Sequence, residues 1–115
     1  MLRPFAAAVL FDVFIDAHDT MFVVDGTGNS IYIFDKASTL NGTVNPDFTL
    51  KVAGAGQITD IWVDSNNTGY IADRNTNAIY SYDNISMLNG TLNPDRTIQG
   101  TNTQLLGPIR VFLTE

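Results

Sequence analysis

Short apolar runs separated by polar turn residues form the pattern of this chain. Residues 13–15 lie between two aspartates and are typical of a strand buried on both faces. Asp35 is predicted to cap one helical turn over residues 36–40, and Asn41-Gly42 supplies the exit from it. The remaining apolar runs, each closed by turn residues, predict further strands at residues 21–24, 31–34, 48–52, 58–63, 70–72, 78–82 and 96–99.

This pattern occurs twice. Residues 40–49, LNGTVNPDFT, return as residues 88–97, LNGTLNPDRT, with eight of ten positions identical. A copy at one fixed offset indicates a repeat fold, in which a structural unit stacks against its own duplicate. The predicted organisation is a lead-in strand or tail at 1–11, repeats at 12–59 and 60–107, and the first strand of an incomplete third repeat at 108–115.

Four short antiparallel strands per repeat predict an all-β fold built from the blades of a β-propeller. The runs GYIADRNTNAIYSYD and PDRTIQG resemble NHL-type and regucalcin/gluconolactonase-like six-bladed propellers, and bacterial repeat proteins whose blades carry LNGTLNPDRTI. Two blades leave apolar faces uncovered. We therefore expect either a homo-oligomeric ring or additional propeller blades supplied by a longer chain.

Composition narrows the classes of partner. A net charge of -6 without a basic cluster argues against nucleic acid and against anionic membranes. The chain has no cysteine, which excludes disulfides and thiolate metal sites. The apolar run at residues 5–11 is more typical of a strand than of a secretory signal. The sequence leaves the localisation open, with a secreted or periplasmic location slightly favoured.

Asp12, Asp60 and Arg110 are the candidate ligand-binding residues. Each opens the predicted innermost strand of its repeat, which in a propeller lies near the mouth of the central channel. Asp12 and Asp60 could bind a divalent cation such as Ca²⁺ through oxygen ligands; the alternative is that they are solvated strand starts. The resemblance to lactonases implies a metal held by Glu, Asn and Asp, but Glu115 is the chain's single glutamate.

Other polar residues are interpreted as structural. Turn roles are predicted for Asp25, Asn29, Asp73, Asn77, Asn41, Gly42, Asn89 and Gly90. His18 is the single histidine and has no nucleophile in a suitable motif, so no catalytic residue is predicted. Trp62, the counterpart of Phe14, is favoured as core between repeats over a platform for stacking sugars.

The leading functional hypothesis is a non-enzymatic scaffold that binds a protein or carbohydrate ligand. One alternative is a metal-dependent, lactonase-like hydrolase completed by other blades. A second alternative is a sugar-binding propeller lectin. These hypotheses differ in metal dependence and in the binding of glycans.

Overall fold

The computed structural model describes residues 9–99, and the all-β prediction is confirmed over this range. No helix in it is long and apolar enough to span a membrane. The strands of the first repeat are β1 (Leu10–Ile15), β2 (Met21–Asp25), β3 (Ser30–Phe34) and β4 (Phe48–Val52). Those of the second are β5 (Ile58–Val63), β6 (Gly69–Asp73), β7 (Ala78–Tyr82), β8 (Gly90–Leu92) and β9 (Arg96–Gln99).

The two repeats form two sheets with the same internal register. The first sheet has the order β1-β2-β3-β4-β8, and the second has the order β5-β6-β7-β9. Val13 lies opposite Val23 just as Ile61 lies opposite Ile71, and both innermost strands contain a bulge at the same repeat position. The repeat in the sequence therefore corresponds to a repeat in the structure, because similar local sequences form strands with the same pairing.

One segment of the second repeat joins the sheet of the first. Strand β8 pairs in parallel with β4, placing Gly90 beside Leu50 and Leu92 beside Val52. The Oδ1 atom of Asn89 accepts a hydrogen bond from the backbone N–H of Thr49 at 3.1 Å. The sequence predicts only a turn here, because a pairing with a strand about forty residues away leaves no local pattern.

The hydrophobic core lies between the two sheets. Its fully buried members include Phe22, Ile31 and Leu50 from the first sheet and Ile61 and Ile71 from the second. A smaller cluster covers the opposite face of the first sheet, where Leu40 and Val44 pack on Met21, Val23, Tyr32 and Phe34. The first sheet is therefore apolar on both faces.

Strand β1 is not buried on both faces, so that prediction is wrong. Val13 is 52% exposed and Ile15 is 54% exposed, whereas their counterparts Ile61 and Val63 are 2% and 3% exposed. The difference has a tertiary cause. The first sheet covers the apolar residues of β5, and no described element does the same for β1.

The predicted helical turn is present as a 3-10 turn at Ala37–Thr39, but Asp35 does not cap it. Asp19, in the turn between β1 and β2, binds it: the Asp19 carboxylate accepts hydrogen bonds from the backbone N–H of Ser38 at 3.1 Å and from the Ser38 hydroxyl at 2.6 Å. Asp35 instead accepts from the adjacent backbone N–H of Lys36 at 2.9 Å. The carboxylate that binds this turn therefore comes from a residue distant in sequence, which is why a local pattern missed it.

Candidate functional site

A groove of about 390 Å³ runs between the ends of β1 and β5, where the two repeats meet. We call it the inter-repeat groove. The two innermost strands lie side by side, so equivalent positions of both repeats reach it. Its walls are Phe14, Ile15, Asp16, Ala17 and His18 from the first repeat and Trp62, Val63, Asp64 and Ser65 from the second.

An aromatic pair forms part of the lining of this groove. The ring centroids of Phe14 and Trp62 are 5.0 Å apart, and the ring planes are inclined by 55°. This is the tilted arrangement that aromatic pairs favour. Both side chains remain partly exposed. Phe14 also packs against the core between the repeats, as was predicted for Trp62. Both rings also line the groove, so part of the pair faces solvent there.

Two carboxylates lie beside the aromatic pair, and local turns fix both. The Oδ1 atom of Asp16 accepts from the backbone N–H groups of His18 at 2.8 Å and Thr20 at 3.0 Å. The Oδ1 atom of Asp64 accepts from the equivalent groups of Asn66 at 2.9 Å and Thr68 at 3.0 Å. Side chains held in this way keep their orientation when a ligand arrives, which lowers the entropic cost of binding.

The electrostatics of the groove favour neutral or cationic ligands. Its lining contains two aspartates and the exposed His18, and neither lysine nor arginine. Burial, followed by the nearby carboxylate of Asp64, raises the pKa of Tyr70, which donates its hydroxyl to Asp64 Oδ2 at 3.4 Å. Tyr70 therefore remains neutral and adds no charge at physiological pH.

Two of the sequence-predicted ligand residues, Asp12 and Asp60, are not part of the lining of this groove. Asp12 Oδ2 accepts a hydrogen bond from the backbone N–H of Ile61 at 3.1 Å, and so joins β1 to β5. Asp60 precedes Ile61 in β5 and is only 6% exposed. Arg110 lies outside the described residues. Among residues 9–99 the structure holds no group of three or more His, Cys, Asp or Glu side chains placed to hold a metal.

A divalent cation at Asp12 and Asp60 therefore stays a prediction. If the metal hypothesis is right, titration calorimetry with Ca²⁺ gives a saturable signal that the double variant Asp12→Asn and Asp60→Asn abolishes. Asp35→Asn is the matched control, since Asp35 is exposed and lies in a different turn. If the parent chain gives no heat of Ca²⁺ binding, both the cation site and the metal-dependent hydrolase hypothesis are refuted.

Buried polar residues of the turns between the second and third strands are engaged inside the protein. Asp25 accepts hydrogen bonds from Thr27, Gly28 and the hydroxyl of Tyr32. Asn29 has a positive φ of 51° and accepts at Oδ1 from the backbone N–H of Ile58 at 3.0 Å. The turn of the first repeat thereby holds the connection that leads into the second.

Asp73, the counterpart of Asp25, is fully buried. Burial raises the pKa of this carboxyl, but hydrogen bonds from Gln57, Gly56, Tyr80 and Thr76 outweigh that effect and lower the pKa to about 2. Burial, then the bond to Asp73, raises the pKa of Tyr80 to about 12, although its contact with Thr76 acts in the opposite direction. Asp73 is thus a structural anion of the second repeat.

The sequence analysis missed the groove although it contained a signal for it. Phe14 with Asp16, and Trp62 with Asp64, occupy equivalent positions at the ends of the innermost strands. Each pair taken alone looks like a strand end. Only the side-by-side packing of β1 and β5 joins the two pairs into one concave site.

Comparison with known proteins adds no assignment. The chain matches none of the protein-family models searched, and no curated protein matches it. The resemblance to NHL-type and gluconolactonase-like repeats therefore stays a prediction.

Proposed function

We propose that this protein is a non-enzymatic binding scaffold made of two β-propeller blades, with its ligand in the inter-repeat groove. The observation that carries the proposal is the open Phe14–Trp62 pair beside two turn-anchored carboxylates. The propeller interpretation is supported by two antiparallel four-strand units of identical register that pack face to face. Their innermost strands meet at the groove.

The chemistry of the groove favours a neutral carbohydrate as the ligand. The apolar face of a sugar ring packs well on an aromatic side chain, and its hydroxyls donate hydrogen bonds to carboxylates. Trp62 and Phe14 supply the first kind of contact, whereas Asp16 and Asp64 supply the second. A volume of about 390 Å³ is at the small end of the range for ligand sites, which suits one or two sugar rings.

Trp62 is the single tryptophan of the chain, so its fluorescence reports on the groove directly. We expect a glycan array to identify a ligand, and titration with that glycan to change the Trp62 emission. Calorimetry should show that Trp62→Ala weakens binding by about tenfold or more, because the variant removes the largest contact surface of the site.

Two control variants sharpen this test. Trp62→Phe keeps an aromatic ring, the residue type found at position 14, and should retain part of the affinity. Met87→Ala alters a side chain that is 69% exposed and is not part of the groove, so it should bind like the parent. Silence across the array, or an affinity unchanged by Trp62→Ala, would refute a sugar site in this groove.

A further inference from the structure

The contact between the two repeats joins two different surfaces, one on the first repeat and one on the second. Because the repeats are similar in sequence, each repeat contains a version of both surfaces. We call one the trailing half: in the first repeat it comprises the face containing Leu50 and the outer edge of β4. We call the other the leading half: in the second repeat it comprises Ile61, Val63 and residues 88–92. Within the chain, the leading half of the second repeat covers the trailing half of the first.

The apolar residues of β1 in the leading half of the first repeat are exposed at one end of the protein, although Thr43 in the same half already takes part in an isolated β-bridge. Val13 and Ile15 are 52% and 54% exposed, although the same repeat positions are buried in the internal contact. Residues 40–44, LNGTV, are the counterpart of residues 88–92, LNGTL, and differ from them in one residue. Gly42 has a positive φ of 80°, close to the 93° of Gly90, so the segment already has the shape of its counterpart.

Among residues 9–99, no element covers the trailing half of the second repeat at the other end. Ile98 is 52% exposed, whereas its counterpart Leu50 is fully buried. A groove of about 230 Å³ lies on this face, lined by Tyr70, Ile79, Ser81, Arg96 and Ile98. Within residues 9–99, β9 pairs with β7 alone, so its outer edge is an exposed row of backbone donors and acceptors.

One buried polar atom also lies on this face. The side chain of Ser81 is at the position of Ile33, and its residue is only 5% exposed. Its hydroxyl has no hydrogen-bond partner in the described part of the chain. A buried hydroxyl without a hydrogen-bond partner is energetically unfavourable, and most buried polar atoms in folded proteins have one. The trailing half therefore has the character of a surface that another element covers.

We propose that the leading half of a second copy of this chain docks on the trailing half of the first. Residues 40–44 of the incoming copy would add in parallel to the outer edge of β9, as β8 adds to β4, in place of the β-bridge that Thr43 makes within its own chain. The internal register then places Gly42 beside Ile98 and Thr43 beside Gln99. Asn41 Oδ1 of the incoming copy accepts from the Thr97 backbone N–H, as Asn89 Oδ1 accepts from Thr49.

A second copy fits this surface because the two repeats already make the same contact with each other inside the chain. Asn41, Gly42 and Thr97 are identical to the internal residues Asn89, Gly90 and Thr49. The two halves differ from each other, so each copy keeps one half free after docking. Such heterologous contacts form a ring if the rotation between copies closes, and an open filament if it does not. This inference concerns the ends of the protein and does not depend on the ligand proposed for the inter-repeat groove.

The test uses the full chain and two variants that each block one half. Val13→Asp places a charge on the leading half, and Ile98→Asp places one on the trailing half. Both side chains are about half exposed, so folding should survive, and circular dichroism checks this. By light scattering during size exclusion, we expect the parent to be a discrete oligomer, each variant alone to be a monomer, and an equal mixture of the two to be a dimer.

A milder substitution addresses the hydrogen bond itself. Asn41 is exposed, and Asn41→Ala should weaken self-association by about tenfold through the loss of one hydrogen bond. Asn66→Ala, an exposed asparagine in another turn, should leave self-association unchanged.

Three results would overturn the proposal. The parent chain could remain monomeric at every concentration, which would mean that the two halves do not dock on each other. The blocked variants could still form the parent oligomer, or their mixture could stay monomeric.

Discussion

Asp73→Asn is expected to lower the free energy of unfolding by about 3 kcal/mol at neutral pH. The carboxylate is fully buried, and Oδ2 accepts from the Gly56 backbone N–H at 2.7 Å and from the Tyr80 hydroxyl at 2.8 Å. Oδ1 accepts from Gln57, Asn75 and Thr76. An amide keeps only one acceptor oxygen, so at least one buried N–H would face an NH₂ group.

The effect of this variant should depend on pH in a defined direction. The pKa of Asp73 falls from 3.8 to about 2 on folding, so the unfolded chain binds the proton more readily. The carboxylate therefore stabilises the fold fully above about pH 4, and this contribution of about 2 kcal/mol is lost as the pH falls towards 2. Since Asn does not titrate, the difference between parent and variant should narrow over the same interval.

Urea unfolding at several pH values measures both effects. Asp35→Asn is the matched control, because its carboxylate is exposed and, among residues 9–99, accepts a hydrogen bond only from the neighbouring Lys36 N–H. It should change the free energy of unfolding by less than about 0.5 kcal/mol. The assignment of Asp73 as a structural anion would be contradicted if Asp73→Asn lowered the free energy of unfolding by no more than Asp35→Asn does. It would also be contradicted if the effect of Asp73→Asn did not change between pH 2 and 5.

Leu50→Ala should lower the free energy of unfolding by about 3 kcal/mol, within the range of about 2–5 kcal/mol known for buried leucines. Leu50 is fully buried in the core between the two sheets, where the second sheet packs directly over it. Truncation removes apolar contacts and leaves a cavity that two rigid sheets cannot fill by collapse.

Ile98→Ala provides the matched comparison, since residue 98 occupies the same repeat position on the second sheet. Ile98 is 52% exposed, so its truncation should lower the free energy of unfolding by less than about 1 kcal/mol in dilute solution. Thermal or urea unfolding at low protein concentration gives both values. Equal losses for the two variants would show that another part of the chain covers Ile98.

Comparison of these two residues also separates folding from assembly. If a second copy docks on the trailing half of the second repeat, the stability of the parent should rise with protein concentration, and the Ile98→Ala variant should lose that dependence. The Leu50→Ala variant should keep the concentration dependence of the parent, because Leu50 is buried inside the chain and its truncation leaves the docking surfaces unchanged.

The sequence by itself predicted the repeat and most of the strands. Strands β2, β3, β4 and β6 begin or end within one residue of their predicted bounds, and the predicted strands at 58–63, 78–82 and 96–99 are confirmed. These features are local: apolar runs that pack as strands, closed by Asp, Asn and Gly residues that tolerate positive φ. Asn29, Asn77 and Gly42 adopt that conformation.

Only the tertiary structure determined which of two equivalent residues in the repeats is buried, and which residues distant in sequence come into contact. Val13 and Ile61 have the same local pattern, but only Ile61 is covered by another sheet. The pairing of β8 with β4, the binding of the 3-10 turn by Asp19 and the inter-repeat groove all join residues distant in sequence. A repeated sequence dictates the same local structure twice, whereas burial depends on neighbours, and the two repeats of this chain have different neighbours.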